Sequence, residues 1–402
     1  MIYSKNNHFS TLPEEDLSRS ILDGVLRFNG MKTKDIEATL VSELMEDFDP
    51  VGEVPYTNRL GPNGKWRVTS SLQKAIRRKD FENAYKAATA LYNGGFGDYA
   101  WRRLAVICLE DLGIAALPLA ALVFAIQGRK KWRADNGDLH LLLYIVGQMV
   151  NVVCDRTLCE TAVSAWYNPD YEAIKHHYIE GYDPQQAASI YRDKTASPDL
   201  RQLAGLALSG AIHNGGDYRD RVTSEKNLDA LTEALDELQP PTLIRYIITR
   251  GVALGTEGLH IALPINWDRF RGSEFVCVAH DKLPESPIIK GLPSVAYDMH
   301  TYEGKRAYNY FKKACAPVAE LLAKYSPPDP VDAVSALVFL FEAGCVMAEH
   351  LSYPYQQEAL LSSWKAELAS VGLPNDDEHI EEYREVITSN FAALDKARRV
   401  CV

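Results

Sequence analysis

The 402-residue sequence has no cysteine pair at C-x-x-C spacing and no cysteine–histidine cluster of the kind that grips zinc, although it holds seven cysteines. Cys108, Cys154, Cys159, Cys277, Cys315, Cys345 and Cys401 are scattered and odd in number, which excludes a disulfide framework and predicts a reduced, cytoplasmic setting. An apolar run long enough to cross a bilayer is also missing. The most apolar stretch, Ile114–Ile126, contains Pro118 and falls short of the roughly 20 residues that a span needs; a buried helix and no membrane partner are expected. The opening MIYSKNNHFSTLPEED has no basic patch followed by an apolar core, so a secretory signal is not expected.

The usual catalytic signatures are absent too. Gly61-Pro-Asn-Gly64-Lys65 invites comparison with a phosphate-binding loop, but its spacing is G-x-x-G-K and Trp66 stands where Ser or Thr would hold magnesium. There is no G-x-S-x-G, and the D-x-D, E-x-K and H-x-E arrangements of metal-dependent nucleases and deaminases do not occur as a set. No metal and no cofactor is expected.

What is present is an ordinary globular composition, 47% hydrophobic and 24% charged. A net charge of −11 argues against a protein that coats nucleic acid indiscriminately, because backbone binding needs concentrated Lys and Arg. It leaves room for a local basic groove. Three clusters qualify, at Lys74–Lys79, Arg129–Arg133 and Lys305–Lys313, each with aromatic residues nearby.

Apolar spacing at Leu17, Ile21 and Val25, then at Ile36, Leu40 and Leu44, predicts two amphipathic helices before an irregular connection over 48–68. Helical patterns then recur with short links to residue 254: 71–78, 81–93, 99–112, 139–153, 158–166, 170–180, 184–192, 199–212, 225–238 and 240–254. Residues 255–298 hold four prolines and four glycines and read as a long irregular insertion, with one strand-like patch at 275–278. Helices return at 304–324, 331–349, 354–371 and 378–398. The expectation is an all-α protein, a multi-helix bundle or helical array. Its divisions are an N-terminal helical segment and linker (1–68), a helical domain (69–254), the insertion (255–300) and a C-terminal helical region packed on that domain (301–402).

The segment Ser70–Leu122 carries Ser71, Leu72, Lys74, Arg77, Ala84, Ala88 and Gly94, then Arg102-Arg103-Leu104 and Glu110-Asp111-x-Gly113. In this pattern it resembles the helical region that follows the motor in MgsA/RarA-type replication-associated AAA+ ATPases, relatives of clamp-loader subunits. The match covers about fifty residues of 402, and no Walker A, Walker B or sensor arginine precedes it. The resemblance implies a helical module from DNA replication or repair, in a phage or mobile-element setting, and assigns no catalytic residue.

Three function classes follow. The first is a DNA-transaction protein that binds DNA or a replisome partner through Arg77, Arg78, Arg102 and Arg103 together with Lys305 and Arg306, since paired guanidinium groups grip phosphates bidentately. The internal alternative pairs Arg102 or Arg103 with Glu110 or Asp111. The second is an enzyme acting on a nucleobase or nucleotide, such as a helical DNA glycosylase. Its acid–base candidates are Asp298 and His300 at the start of a helix, with His213 and Asp217 in a glycine-rich turn, and Trp267 offers a stacking surface. The third is a protein-binding adaptor or inhibitor.

Overall fold

Residues 14–50, 60, 63–213, 222–254 and 258–402 are described by the computed structural model. The apolar spacing near the start of the chain forms what it predicts. In α1 (Glu14–Leu26) Leu17, Ile21 and Val25 point inward, and in α2 (Thr33–Asp47) Ile36, Leu40 and Leu44 do. Helix accounts for 73% of the structure and strand for 4%, so the molecule is all-α.

Next come α3 (Gly64–Arg77), α4 (Phe81–Leu91), α5 (Gly97–Ile107) and α6 (Leu117–Ile126), with π-helical turns at Tyr92–Phe96 and Cys108–Leu112. Phe81–Ile126 is the one helical run among the described residues with a window apolar enough to cross a membrane, and 94% of that window is buried inside the molecule. It packs as a core element. With α7 (Asp138–Asn151), α8 (Thr157–Tyr167) and α9 (Pro198–Ser209) it builds a large first core around Trp101, Phe124 and Leu142.

A second core gathers Tyr308, Phe311, Leu337, Tyr383 and Leu394. Its helices are α10 (Tyr302–Ala314), α11 (Pro330–Val338), α12 (Pro354–Ser370), α13 (Asp377–Thr388) and α14 (Phe391–Cys401). α12 joins the two, placing Tyr355 and Ala359 in the first core and Leu368 in the second.

The expected irregular insertion is partly helical. Its first third forms a 3-10 turn, Leu259–Ala262, and a helix, Leu263–Arg271, because Ile261, Leu263, Ile265 and Trp267 all gain apolar burial there. Beyond it lie β1 (Cys277–Ala279), β2 (Ile288–Ile289) and β3 (Leu292–Pro293). β2 and β3 form a small hairpin, while β1 pairs antiparallel with β4 (His350–Ser352), Val278 opposite Leu351.

The expected helices 304–324 and 378–398 are each two helices. Pro317 cannot donate to the helical ladder and its ring crowds the preceding turn, so α10 ends and a new helix begins at Ala316. The second break falls at Ser389–Asn390.

Candidate functional site

Every residue of α3 from Val68 to Arg77 is buried, the polar ones included. A helix can be buried on all sides with Ser70, Gln73, Lys74 and Arg77 along it only if each finds a partner. Lys74 pairs with Asp298 and donates to Ser70 Oγ at 2.7 Å, while Ser70 Oγ donates to Asp298 Oδ2 at 2.9 Å. Gln73 Nε2 donates to Asp111 Oδ2 at 2.8 Å, and Arg77 Nε lies 3.2 Å from Asp111 Oδ1. A second arm of Arg77 donates to the carbonyl of Gly344.

The π-helical turn Cys108–Leu112 places Glu110 and Asp111 on this network. Arg156 Nη1 reaches Asp111 Oδ1 at 2.7 Å, Arg156 Nε reaches Glu160 Oε1 at 3.1 Å, and Ser363 on α12 donates to the same carboxylate. Gly113 ends the turn at φ +46°, where a Cβ would lie 2.3 Å from the carbonyl of Asp155. The Glu-Asp-x-Gly signature is therefore a packing requirement. A third π-helical turn, Phe339–Ala343, carries Glu342, whose carboxylate accepts both arms of Arg398 at 2.6 Å each. Such turns recur at functional sites; of the three among the described residues, two carry buried or half-buried carboxylates paired with arginines.

Burial alone would raise the pKa of Asp298, but the Lys74 ammonium, the neighbouring His300 and the Ser70 hydroxyl outweigh it and hold the group below the usual carboxylate range. Burial would likewise raise Glu110, yet Arg103, Arg156 and Arg77 bring it down to about 2. Glu367 goes the other way. Burial, then the charge of Glu160, push it up to about 8 against only Arg156.

Most of the arginines expected to accept phosphate face inward. Arg77 is 2% exposed and paired with Asp111. Arg78 is half-buried and donates to main-chain carbonyls. Arg103 donates to Gln73 and, at 3.1 Å, to Glu110, the internal alternative. Arg102 alone of the four is exposed.

Asp298 and His300 are neighbours through a tight turn, the His300 amide donating to Asp298 Oδ1 at 3.0 Å. The His300 ring stands perpendicular to Phe339 on an exposed residue, and the desolvation it does suffer outweighs the Asp298 charge to lower its pKa. Thr301 caps α10, accepting from the Gly304 amide at 3.0 Å. His213 lies against the Trp166 ring of α8, 4.4 Å between centroids, whereas Asp298 is held by α3; Asp217 lies outside the described residues. Trp267 is 1% exposed and packs near Phe270, so its ring is core rather than a platform for a base.

Lys305 and Arg306 are exposed on α10, as the first class requires. The same face presents Tyr302 (63% exposed), Tyr310 and Lys313, one stripe at helical spacing. The adjoining α14 adds Lys396 and Arg399. The two acids on these helices turn inward, Glu303 onto Arg67 at 3.1 Å and Asp395 onto Arg398 at 3.4 Å.

The buried network went unread because its members are far apart in sequence. Glu342 and Arg398 lie 56 residues apart, and although Arg156 and Glu160 stand at i,i+4, nothing local links that pair to Asp111 or Ser363; only the Glu110-Asp111 pair was singled out from the sequence. Among the described residues no three His, Cys, Asp or Glu side chains converge as a metal site. Comparison of the chain with family models, curated proteins and solved structures finds no match.

Proposed function

We propose that the protein binds DNA, in replication or repair, through the outer face of α10 and α14. The observation that carries this reading is a set of exposed or half-exposed cations on two helices that pack together, Lys305, Arg306, Lys312, Lys313, Lys396 and Arg399, with Tyr302 and Tyr310 among them. The acids of both helices face inward. Cations follow the phosphate backbone and exposed rings stack on unpaired bases, a combination suited to single strands and forks. In a chain of net charge −11 the rest of the surface would repel the strand and confine it to this face. The resemblance of Ser70–Leu122 to MgsA/RarA-type proteins supports the replication or repair setting and makes a replisome protein the other partner to test.

Base extraction by a glycosylase-like site has less support. The Asp298 carboxylate already accepts from Ser70, Lys74 and the His300 amide, and the Trp267 ring is enclosed.

Filter binding with duplex, forked and single-stranded DNA across a salt series tests the proposal. Replacing Lys305 and Arg306 together by Glu is expected to weaken binding roughly tenfold or more and to reduce the salt slope by about 2, with an unchanged thermal melt. Undetectable binding of the unaltered protein at low salt, or an unaffected double variant, would overturn it.

A further inference from the structure

A cleft of about 210 Å³ opens between α3, the start of α4 and the insertion around 283–295. Its charged and polar lining includes Ser71, Lys74, Arg78, Asn83 and Ser286, and Leu283 stands on the insertion side. The carboxylates around it are all engaged. Asp80 caps α4, accepting from the Asn83 amide at 3.1 Å and from Asn83 Nδ2 at 2.6 Å. Asp298 is held by Lys74 and Ser70, and Glu342 by both arms of Arg398.

Arg78 is left with main-chain oxygens only, Pro284 at 3.0 Å and Glu342 at 3.5 Å. Among the described residues no carboxylate comes within ion-pair distance of it, and burial followed by the positive charges of Arg77 and Arg398 lowers its pKa despite the charges of Glu342 and Asp80. A half-buried guanidinium answered only by neutral carbonyls leaves its charge uncompensated until an anion completes it. Of its five N–H groups two are engaged. The Lys74 ammonium, with three, gives two to Ser70 and Asp298.

We propose that this cleft binds a phosphate monoester, with Arg78 as its principal cation and Lys74, Ser71 and Ser286 as converging donors. Four donor groups, three from α3 and its C-terminal end and one from the facing insertion, suit the several oxygens of a tetrahedral phosphate better than the two of a planar carboxylate. The phosphate belongs either to a small molecule such as a nucleotide or to the 5′ end of a strand. The assignment does not depend on the α10–α14 face, which is built from other residues.

Isothermal titration of the full chain with inorganic phosphate, thymidine 5′-monophosphate and acetate tests it. The first two are expected to bind and acetate is not. Arg78→Gln is expected to raise the dissociation constant for the monophosphate by roughly tenfold to hundredfold. Leu283→Trp, which fills the cleft and leaves Arg78 in place, should do the same and decides the matter if the first variant fails to fold. Oligonucleotides with and without a 5′-phosphate separate the sources. A preference for the phosphorylated end that disappears in Arg78→Gln assigns a strand terminus, and binding of the mononucleotide alone assigns a free metabolite. No phosphate binding at millimolar concentration, equal binding of acetate, or unchanged affinity in both variants would overturn the proposal.

Discussion

The basic stretch at Lys74–Lys79 and the one at Lys305–Lys313 read alike in sequence, cations spaced among apolar or aromatic residues, and the fold treats them in opposite ways. Lys74 and Arg77 are enclosed between two cores and paired with Asp298 and Asp111. Lys305, Arg306 and Lys313 stand outside, on a helix whose one acid turns inward. A third stretch, Arg129–Arg133, sides with the first: Arg129 meets Glu37, Lys130 meets Asp98, and Arg133 meets both Asp98 and Asp138. Local charge therefore says little about binding; the supply of acids on neighbouring elements decides whether a cation becomes structure or surface.

The sharpest way to break this comparison is to remove an acid from the inner set. Asp111 serves Gln73, Arg77 and Arg156 at once. Asp111→Ala takes from the buried Arg77 its only ion-paired carboxylate among the described residues and leaves Arg156 with Glu160 and the more distant Glu110, and loss of one side of a buried pair costs about 3–5 kcal/mol. A fall of that size in urea-denaturation stability is expected. Lys305→Ala with Arg306→Ala should stay within about 0.5 kcal/mol of the original protein, as exposed substitutions do. A mild Asp111→Ala would show that the inner cations rest on something other than their acids.

Next in size is the dependence on pH, where two inner carboxyls pull in opposite directions. Glu110, ordinarily near 4.5, sits at about 2 in the fold, so its stabilising contribution is complete above 4.5 and is lost as pH falls toward 2. Glu367 sits at about 8. The fold favours its neutral form, so stability is greatest below 4.5 and declines as pH rises toward 8. Each limb should amount to on the order of 2 kcal/mol. Denaturation midpoints measured across pH should lose the acid limb in Glu110→Gln and the alkaline limb in Glu367→Gln. If both variants keep the original profile, charge inside the network is not what the pairing governs.

How much of this was legible beforehand follows the same division. Periodicity sufficed for α1 and α2 because each buries a single stripe, and Thr301 announced the start of α10 as a helix cap. α3 was placed but not understood. Val68, Leu72, Ala75 and Ile76 give it an apolar stripe, but nothing local shows that its polar face is buried as well, and the partners of that face, Asp298, Asp111 and Gly344, come from 34 to 267 residues away. The stop at Val338 was missed since Phe339–Ala343 keeps helical composition while its hydrogen bonds shift to π spacing, in the turn that carries Glu342 to Arg398. Trp267 looked like a site residue only while its surroundings were taken as loop. Once Leu263–Arg271 is helical, the ring's size and hydrophobicity send it inside.

The smallest expected effect is also the finest test, because it compares adjacent residues. Arg102 and Arg103 follow one another on α5, about 100° apart around the helix axis. Arg102 points into solvent, while Arg103 bridges Gln73 and Glu110. Arg102→Ala should leave stability within about 0.5 kcal/mol. Arg103→Ala should cost about 1–3 kcal/mol, since it takes the nearest ion-pair partner from the half-buried Glu110 carboxylate and leaves Arg156, at 3.8 Å, and the charge of Arg77. The acid limb should follow suit, starting at higher pH in Arg103→Ala because Arg103 is the foremost charge holding Glu110 down, and staying put in Arg102→Ala. Equal losses in the two variants would mean that one turn of helix does not divide inner from outer charge, and the distinction on which the α10–α14 face rests would lose its physical basis.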